Sequence, residues 1–215
     1  MLKSILSVSL LAVVAGAQIG PGPTPNVGIT GVVRPLISPT ICAAGTHILE
    51  CTGVVLQSNS IDLSLLEGQL VKLFGNQSNA TCPLIDVTAA ANPPSTLVWC
   101  GTPSPNCPLK FKLCPGGLSQ FWIFLGLAPG YKPLDPAKGT WLLGDPFLLF
   151  AAGMGGFAAC HEVNVTVPNV PSIIGLDVWL QGARRDIGPV GPISLTNAIC
   201  FKVIPSLGVC TPTNC

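Results

Sequence analysis

The side chains able to do chemistry in this chain are two histidines, ten cysteines and nine carboxylates. His161-Glu162 begins like the H-E-x-x-H helix that holds a catalytic zinc, but Val165 occupies the place of the second histidine. His161 falls instead in phase with Val163, Val165 and Val167, which reads as a hydrogen-bonded core or rim histidine. The other histidine, His47, has no motif around it. Glu50, Asp62, Glu67, Asp86, Asp135, Asp145, Glu162, Asp177 and Asp186 are spread thinly. A glycosidase needs two carboxyls about 5–10 Å apart across the sugar, and nothing in the spacing selects a pair. There is no G-x-S-x-G elbow and no phosphate-binding loop. The expectation is a chain that is not an enzyme, with no catalytic residue, no cofactor and no metal site.

The cysteines point to a covalent framework. They are Cys42, Cys51, Cys82, Cys100, Cys107, Cys114, Cys160, Cys200, Cys210 and Cys215. None forms a C-x-x-C pair, so zinc-ribbon and thioredoxin-like chemistry lack their usual spacing. An even number in an exported chain predicts up to five disulfides. Spacing does not fix their connectivity. Near-neighbour pairing would join Cys42 to Cys51 and Cys210 to Cys215. Cys160 and Cys200 both stand in phase with polar neighbours, and would bridge on an outer face if their strands adjoin.

Export is predicted by the first seventeen residues. One positive charge at Lys3 precedes an apolar run from Ile5 to Val14 and the small residues Ala15-Gly16-Ala17. This is the layout of a cleavable secretory signal, with a mature chain beginning at Gln18. The run is too short to span a bilayer, which takes about 20 residues.

Composition narrows the partners. The formal net charge is +1, and only 9% of residues are charged. No basic stripe exists to displace counterions, so nucleic acid is not an expected partner. Arg184-Arg185 is followed at once by Asp186 and reads as a solvated strand end. The mean hydropathy of +0.61 raises the question of a membrane, most of all between Trp141 and Ala159. A spanning helix there would bury Asp145 and carry Pro146, whereas two buried strands joined by turns accommodate both. The mature chain is therefore expected to have no integral membrane span. With so few charges, any exposed apolar remainder favours self-association.

These residues must be positioned by strands. The chain has 24 glycines and 22 prolines, too many for long helices and well spaced for turns. Residues 18–40 are rich in Pro and Gly and read as an extended arm. His47 to Gln57, Gln69 to Phe74 and Pro83 to Thr88 read as strands, with one helical turn or a loop across Ser60 to Glu67. A second proline-rich zone, Pro93 to Asn106, carries the expected domain boundary. Beyond it, Leu109/Phe111/Leu113, Val163/Val165/Val167, Leu176/Val178/Leu180 and Ile199/Phe201/Val203 alternate with other residues, the period-2 pattern of half-buried strands. Phe121 to Leu125 is apolar throughout, as in a strand covered on both faces. Short alternating strands separated by turns predict an antiparallel sandwich.

Two stretches resemble known groups. Leu49 to Leu56, the run Leu66-Glu67-Gly68-Gln69-Leu70-Val71-Lys72-Leu73-Phe74-Gly75 and Cys82 to Val87 resemble the later part of small OB-fold domains, over residues 49–88. The resemblance implies a five-stranded barrel of a kind that binds oligonucleotides or oligosaccharides. This stretch lacks interleaved basic and aromatic residues, so the nucleic-acid role does not carry over. Val167 to Leu176, Val178 to Ala183 and Leu195 to Ala198 are similar to the closing segment, here residues 167–203, of secreted bacterial β-sandwich proteins that are largely uncharacterised. That resemblance implies export and fold. The resulting organisation is a signal at 1–17, an arm at 18–40, an OB-like domain at 41–100 and a sandwich at 101–215. The fold class is all-β and disulfide-stapled.

Function then divides two ways. Low charge, high apolarity, cross-linking and an arm able to reach a neighbour point to a secreted structural protein that associates with itself, as a matrix, surface-layer or filament subunit. The alternative is a carbohydrate-binding or adhesion module for an extracellular polysaccharide, using Trp99, Trp122, Trp141, Trp179 or Tyr131. Of these, Trp179 alone falls in phase with polar neighbours, so it is the expected exposed contact. Asn76-Gln77-Ser78, Asn79-Ala80-Thr81 and Asn164-Val165-Thr166 match the N-glycosylation pattern.

Overall fold

The computed structural model describes residues 26–37, 45–79, 82–115, 117–155, 159–187, 191–206 and 208–211. The signal segment, Cys42, Cys215 and the sequon residues Ala80 and Thr81 lie outside them. The described chain is all-β, with two sheet assemblies and one short hairpin.

The first assembly is a closed five-stranded barrel. Its strands are β1 (Val27–Pro35), β2 (His47–Leu49), β3 (Val55–Gln57), β4 (Leu70–Asn79) and β5 (Leu84–Ala91). They are ordered β1-β2-β3-β5-β4, and β4 returns to β1. Neighbours run antiparallel except β3 and β5, which are parallel. Ile29, Val33, Leu49, Leu56, Leu73, Ile85 and Val87 fill the interior. Between β3 and β4, Leu63–Leu66 make one 3-10 turn, and the Asp62 carboxylate caps it by accepting from the backbone N–H and hydroxyl of Ser64. Those hydrogen bonds hold the Asp62 carboxyl below the ordinary range.

Two expectations change here. The arm contributes β1, a nine-residue strand buried over most of its length. Its alternation is hidden because both faces are covered and because Gly28 and Gly31 replace side chains on it. At Gly28 another chain segment lies so close that an added Cβ would sit 2.1 Å from the Pro136 carbonyl oxygen. His47 to Gln57 is not one strand but two. The chain reverses at Cys51 (φ 65°) and Gly53 (φ 70°), where the Thr52 hydroxyl donates to the Leu49 carbonyl and accepts from the Val54 N–H.

The second assembly packs two antiparallel sheets on one core. One sheet is β11-β8-β13-β14, from Phe147–Met154, Ser119–Gly126, Asp177–Asp186 and Ile193–Lys202. The other is β12-β7-β6, from His161–Thr166, Pro108–Cys114 and Thr96–Gly101. Leu97, Phe111 and Leu113 from the second sheet meet Ile123, Val178, Leu180 and Ile199 from the first. The strand β6 pairs with β7. Sheet membership therefore passes to the sandwich before Thr96, ahead of the expected boundary at 101. Asn197 of β14 spans the two sheets, its amide donating to the Leu97 carbonyl and accepting from the Leu97 N–H, both at 2.9 Å.

The hairpin β9 (Pro129–Pro133) and β10 (Thr140–Leu143) joins the two assemblies. Its Leu142 side chain is fully buried in the barrel core. Its turn sits on the barrel, where the Thr140 hydroxyl donates to the Gly28 carbonyl and the buried Lys72 ammonium donates to the Ala137 carbonyl at 2.9 Å.

Three disulfides are defined: Cys51–Cys200, Cys107–Cys210 and Cys114–Cys160. Cys82 and Cys100 are disulfide-bonded as well, and no described cysteine is free. The near-neighbour expectations fail, because Cys51 pairs across to β14 and Cys210 pairs back to Cys107. Cys160 and Cys200 do not bridge either, since Cys160 pairs with Cys114 and Cys200 with Cys51. Cys160 precedes β12, whose first residue lies opposite Leu113, and that register places it against Cys114.

Candidate functional site

Two features of the first sandwich sheet stand apart from the rest of the surface. The first is β11, Phe147-Leu148-Leu149-Phe150-Ala151-Ala152-Gly153-Met154. It pairs with β8 on one side, and among the described residues no strand pairs with the other. Two buried strands are expected from Trp141 to Ala159. The strands β10 and β11 are present, but β11 is exposed: Leu148 is 63%, Leu149 57% and Met154 70% accessible. An apolar run looks the same in sequence whether a neighbour covers it or not.

Pairing with β8 assigns the faces of β11. Leu148 lies opposite Leu125, on the core side, and Leu149 lies opposite Phe124, on the outer side. Apolar surface is thus offered on both faces of an unpaired edge. Natural edge strands are usually blunted by Lys, Pro or another charge. The sequence of β11 contains none of these, and its one irregularity is a register shift between Leu149 and Ala151.

The second feature is a cleft of about 510 Å³ where the hairpin meets the start of β11. Tyr131 and Lys132 come from β9, Trp141 from β10, Asp145 from the connection, and Phe147 from β11. The rings of Trp141 and Phe147 are 4.7 Å apart, inclined at 58°, and Phe124 of β8 backs both. Glycines let the two backbones pass this closely, since a Cβ on Gly130 would lie 2.4 Å from the Leu143 carbonyl oxygen. The Tyr131 ring packs against the barrel core, and burial pushes its phenol up to about 12, so it stays neutral. Lys132 and Asp145 are exposed, and neither forms an ion pair among the described residues.

The aromatic residues expected to bind are only partly brought together. Trp141 and Tyr131 share the cleft. Trp179 is half-buried and lines a different, open depression of about 570 Å³ with Arg34, Ile37 and the Cys51–Cys200 bridge. Trp99 packs on Phe201 at 4.8 Å, and Trp122 is half-buried on the outer side of β8. Phe147 and Asp145 were not among the expected contacts. Both follow the hairpin in sequence, and only the fold of that hairpin turns them toward Tyr131.

His161 is buried, and its Nε2 lies 2.8 Å from the Ser119 hydroxyl. Its ring stacks on Phe121 at 4.8 Å, and Gly155 lies against it. Burial, aided by the nearby Arg184 charge, pushes its pKa down. Ser119 is fully buried too, and the pair ties β8 to β12. Arg184 is paired with Asp186 as expected, but it is not a solvated strand end: its side chain is only 15% accessible and its Nε is buried without a partner. His47 contacts Glu67 at 3.1 Å. Among the described residues no group of three or more His, Cys, Asp or Glu is placed to hold a metal ion, and no helix is long and apolar enough to cross a membrane.

Compared with protein-family models, curated proteins and solved structures, the chain matches none.

Proposed function

We propose that this chain is an exported extracellular protein that associates with further copies of itself through β11, as the subunit of a matrix, surface layer or filament. The observation that carries the reading is the uncharged, apolar edge of β11, which no strand among the described residues pairs with. A second copy supplies what that edge lacks, namely backbone partners along the strand and apolar cover for Leu148, Leu149 and Met154. Antiparallel pairing of β11 with its own copy extends the sheet across a two-fold axis and stops at a dimer. Pairing of β11 with a different edge propagates. The low charge of the chain leaves little electrostatic repulsion between copies. Export is supported by the leading residues and by the disulfides, which persist in oxidising compartments. The strand order β1-β2-β3-β5-β4 with a parallel β3–β5 pair supports reading the barrel as OB-like.

The test is the mass distribution of the oxidised mature protein over a concentration series, by light scattering after size separation. Wild type grows into discrete oligomers or longer assemblies as concentration rises. The variant carrying Leu148→Lys and Leu149→Lys stays monomeric, because two exposed charges on the edge oppose strand addition. A wild type that remains monomeric throughout, or a variant that assembles equally well, overturns the reading.

A further inference from the structure

We infer that the cleft between the β9–β10 hairpin and the start of β11 binds a neutral pyranose saccharide, with Phe147 and Trp141 as its apolar wall and Lys132 and Asp145 as its hydrogen-bonding rim. The inference stands apart from self-association, with which it shares only Phe147.

Size comes first. At about 510 Å³ the cleft falls inside the range of small-ligand sites, roughly 300–1,000 Å³. Phe147 is 41% accessible although it belongs to an aromatic cluster with Trp141 and Phe124 that would be more stable if covered. An aromatic face carries partial negative charge and attracts the weakly positive C–H hydrogens of a partner ring. Pyranoses with equatorial hydroxyls present such a C–H face and keep their hydroxyls at the ring's edge. Those hydroxyls need donors and acceptors placed to the side. Lys132 offers a donor and Asp145 an acceptor at the rim, and neither is committed to another charge among the described residues.

Charge decides between sugar classes. One cation and one anion line the cleft, so the site has no net preference for an anionic or cationic ligand. A neutral saccharide of gluco configuration fits this balance, whereas a uronic-acid polymer gains from Lys132 only what it loses to Asp145. Gln181 holds the hairpin to the sheet through the backbone of Thr140 and Leu142, and the hairpin's own two strands are in close contact at Gly130 and Gly144, so the site is built before any ligand arrives. A pre-formed site spends less of its binding energy on ordering.

The experiment is isothermal titration of the full mature protein with cellotetraose, N-acetylchitotetraose and tetragalacturonate, with tryptophan fluorescence read in parallel. The expected result is saturable binding of at least one neutral tetrasaccharide, a change in tryptophan emission, and no saturation by the uronate. Phe147→Ala and Asp145→Ala each weaken binding about tenfold or more. Trp179→Ala leaves it unchanged. Neither Phe147 nor Asp145 is buried, so these variants keep the fold, and the assembly-blocked Leu148→Lys/Leu149→Lys protein still binds. No saturable signal with either neutral probe up to about 10 mM overturns the inference. So does uronate binding, or neutral binding lost in Trp179→Ala but retained in Phe147→Ala.

Discussion

Gln181 of β13 accepts a hydrogen bond from the backbone N–H of Leu142 at 2.8 Å, at the residue where β10 slips out of register with β9. The Gln181 amide also donates to the carbonyls of Thr140 and Thr196, the second where β13 and β14 lose register. One fully buried side chain thus serves two strand irregularities. It also holds the backbone of the residue whose side chain completes the barrel core. Gln181→Leu leaves one N–H and two carbonyls unpaired in the interior. A loss of about 2–4 kcal/mol in urea unfolding is expected, because each buried orphan costs about 1–3 kcal/mol and some relaxation is available. A change below about 0.5 kcal/mol would show that the amide is dispensable.

The same residue shows where sequence reading stops. The strands β7 and β12 are legible because one of their faces is covered more than the other, and Leu109/Phe111/Leu113 record this directly, whereas the middles of β13 and β14 are buried on both faces. Gln181 belongs to the outward phase of β13, with Trp179 and Asp177, and so reads as solvated. It is buried because the hairpin, distant in sequence, folds over that face. The strand β1 escapes notice for a related reason, since cover on both faces removes the alternation. The disulfides required the sheet order before any pair could be chosen. In the candidate site, Trp141 and Tyr131 were visible as residue types, but their meeting with Phe147 and Asp145 depends on how the hairpin folds back.

Burial of His161 makes stability depend on pH in a defined direction. Its folded-state pKa lies below the ordinary value of 6.5, through burial first and the Arg184 charge second. The unfolded chain therefore takes up the proton first. The contribution to stability is complete above the unfolded pKa and is lost as pH falls below it, toward the folded pKa. Urea unfolding at about pH 7.5 and about pH 5 should show a larger loss for wild type than for His161→Gln, which removes this titration and can still meet Ser119. Equal losses in the two proteins would assign the acid sensitivity to other groups.

Gly28 and Pro136 set how closely the hairpin turn approaches the barrel. An alanine at 28 would place its Cβ 2.1 Å from a backbone oxygen, where no flexible side chain can give way. The turn must move, which strains the Thr140–Gly28 and Lys72–Ala137 hydrogen bonds together. Gly28→Ala is expected to lose about 1–3 kcal/mol, the usual scale of overpacking. Faster amide exchange over residues 134–140 would localise the damage, and unchanged exchange there would rule out this route.

Cys51 and Cys200 connect the β2–β3 turn of the barrel to β14 of the sandwich across 149 residues. Taken alone, a loop of that length would restrict the unfolded chain by about 5 kcal/mol in the chain-entropy account. Cys107–Cys210 already provides a shorter path between the same two points. The expected loss for the double variant Cys51→Ser/Cys200→Ser is therefore about 2–4 kcal/mol, below the full-loop value. Unfolding should be followed by two probes, one in each assembly, with the remaining disulfides oxidised. Because Leu142, Thr140 and Lys72 still couple the barrel to the rest, the two probes should keep a common midpoint. Separate transitions would mean that the disulfide, rather than the hairpin, is what makes barrel and sandwich unfold together.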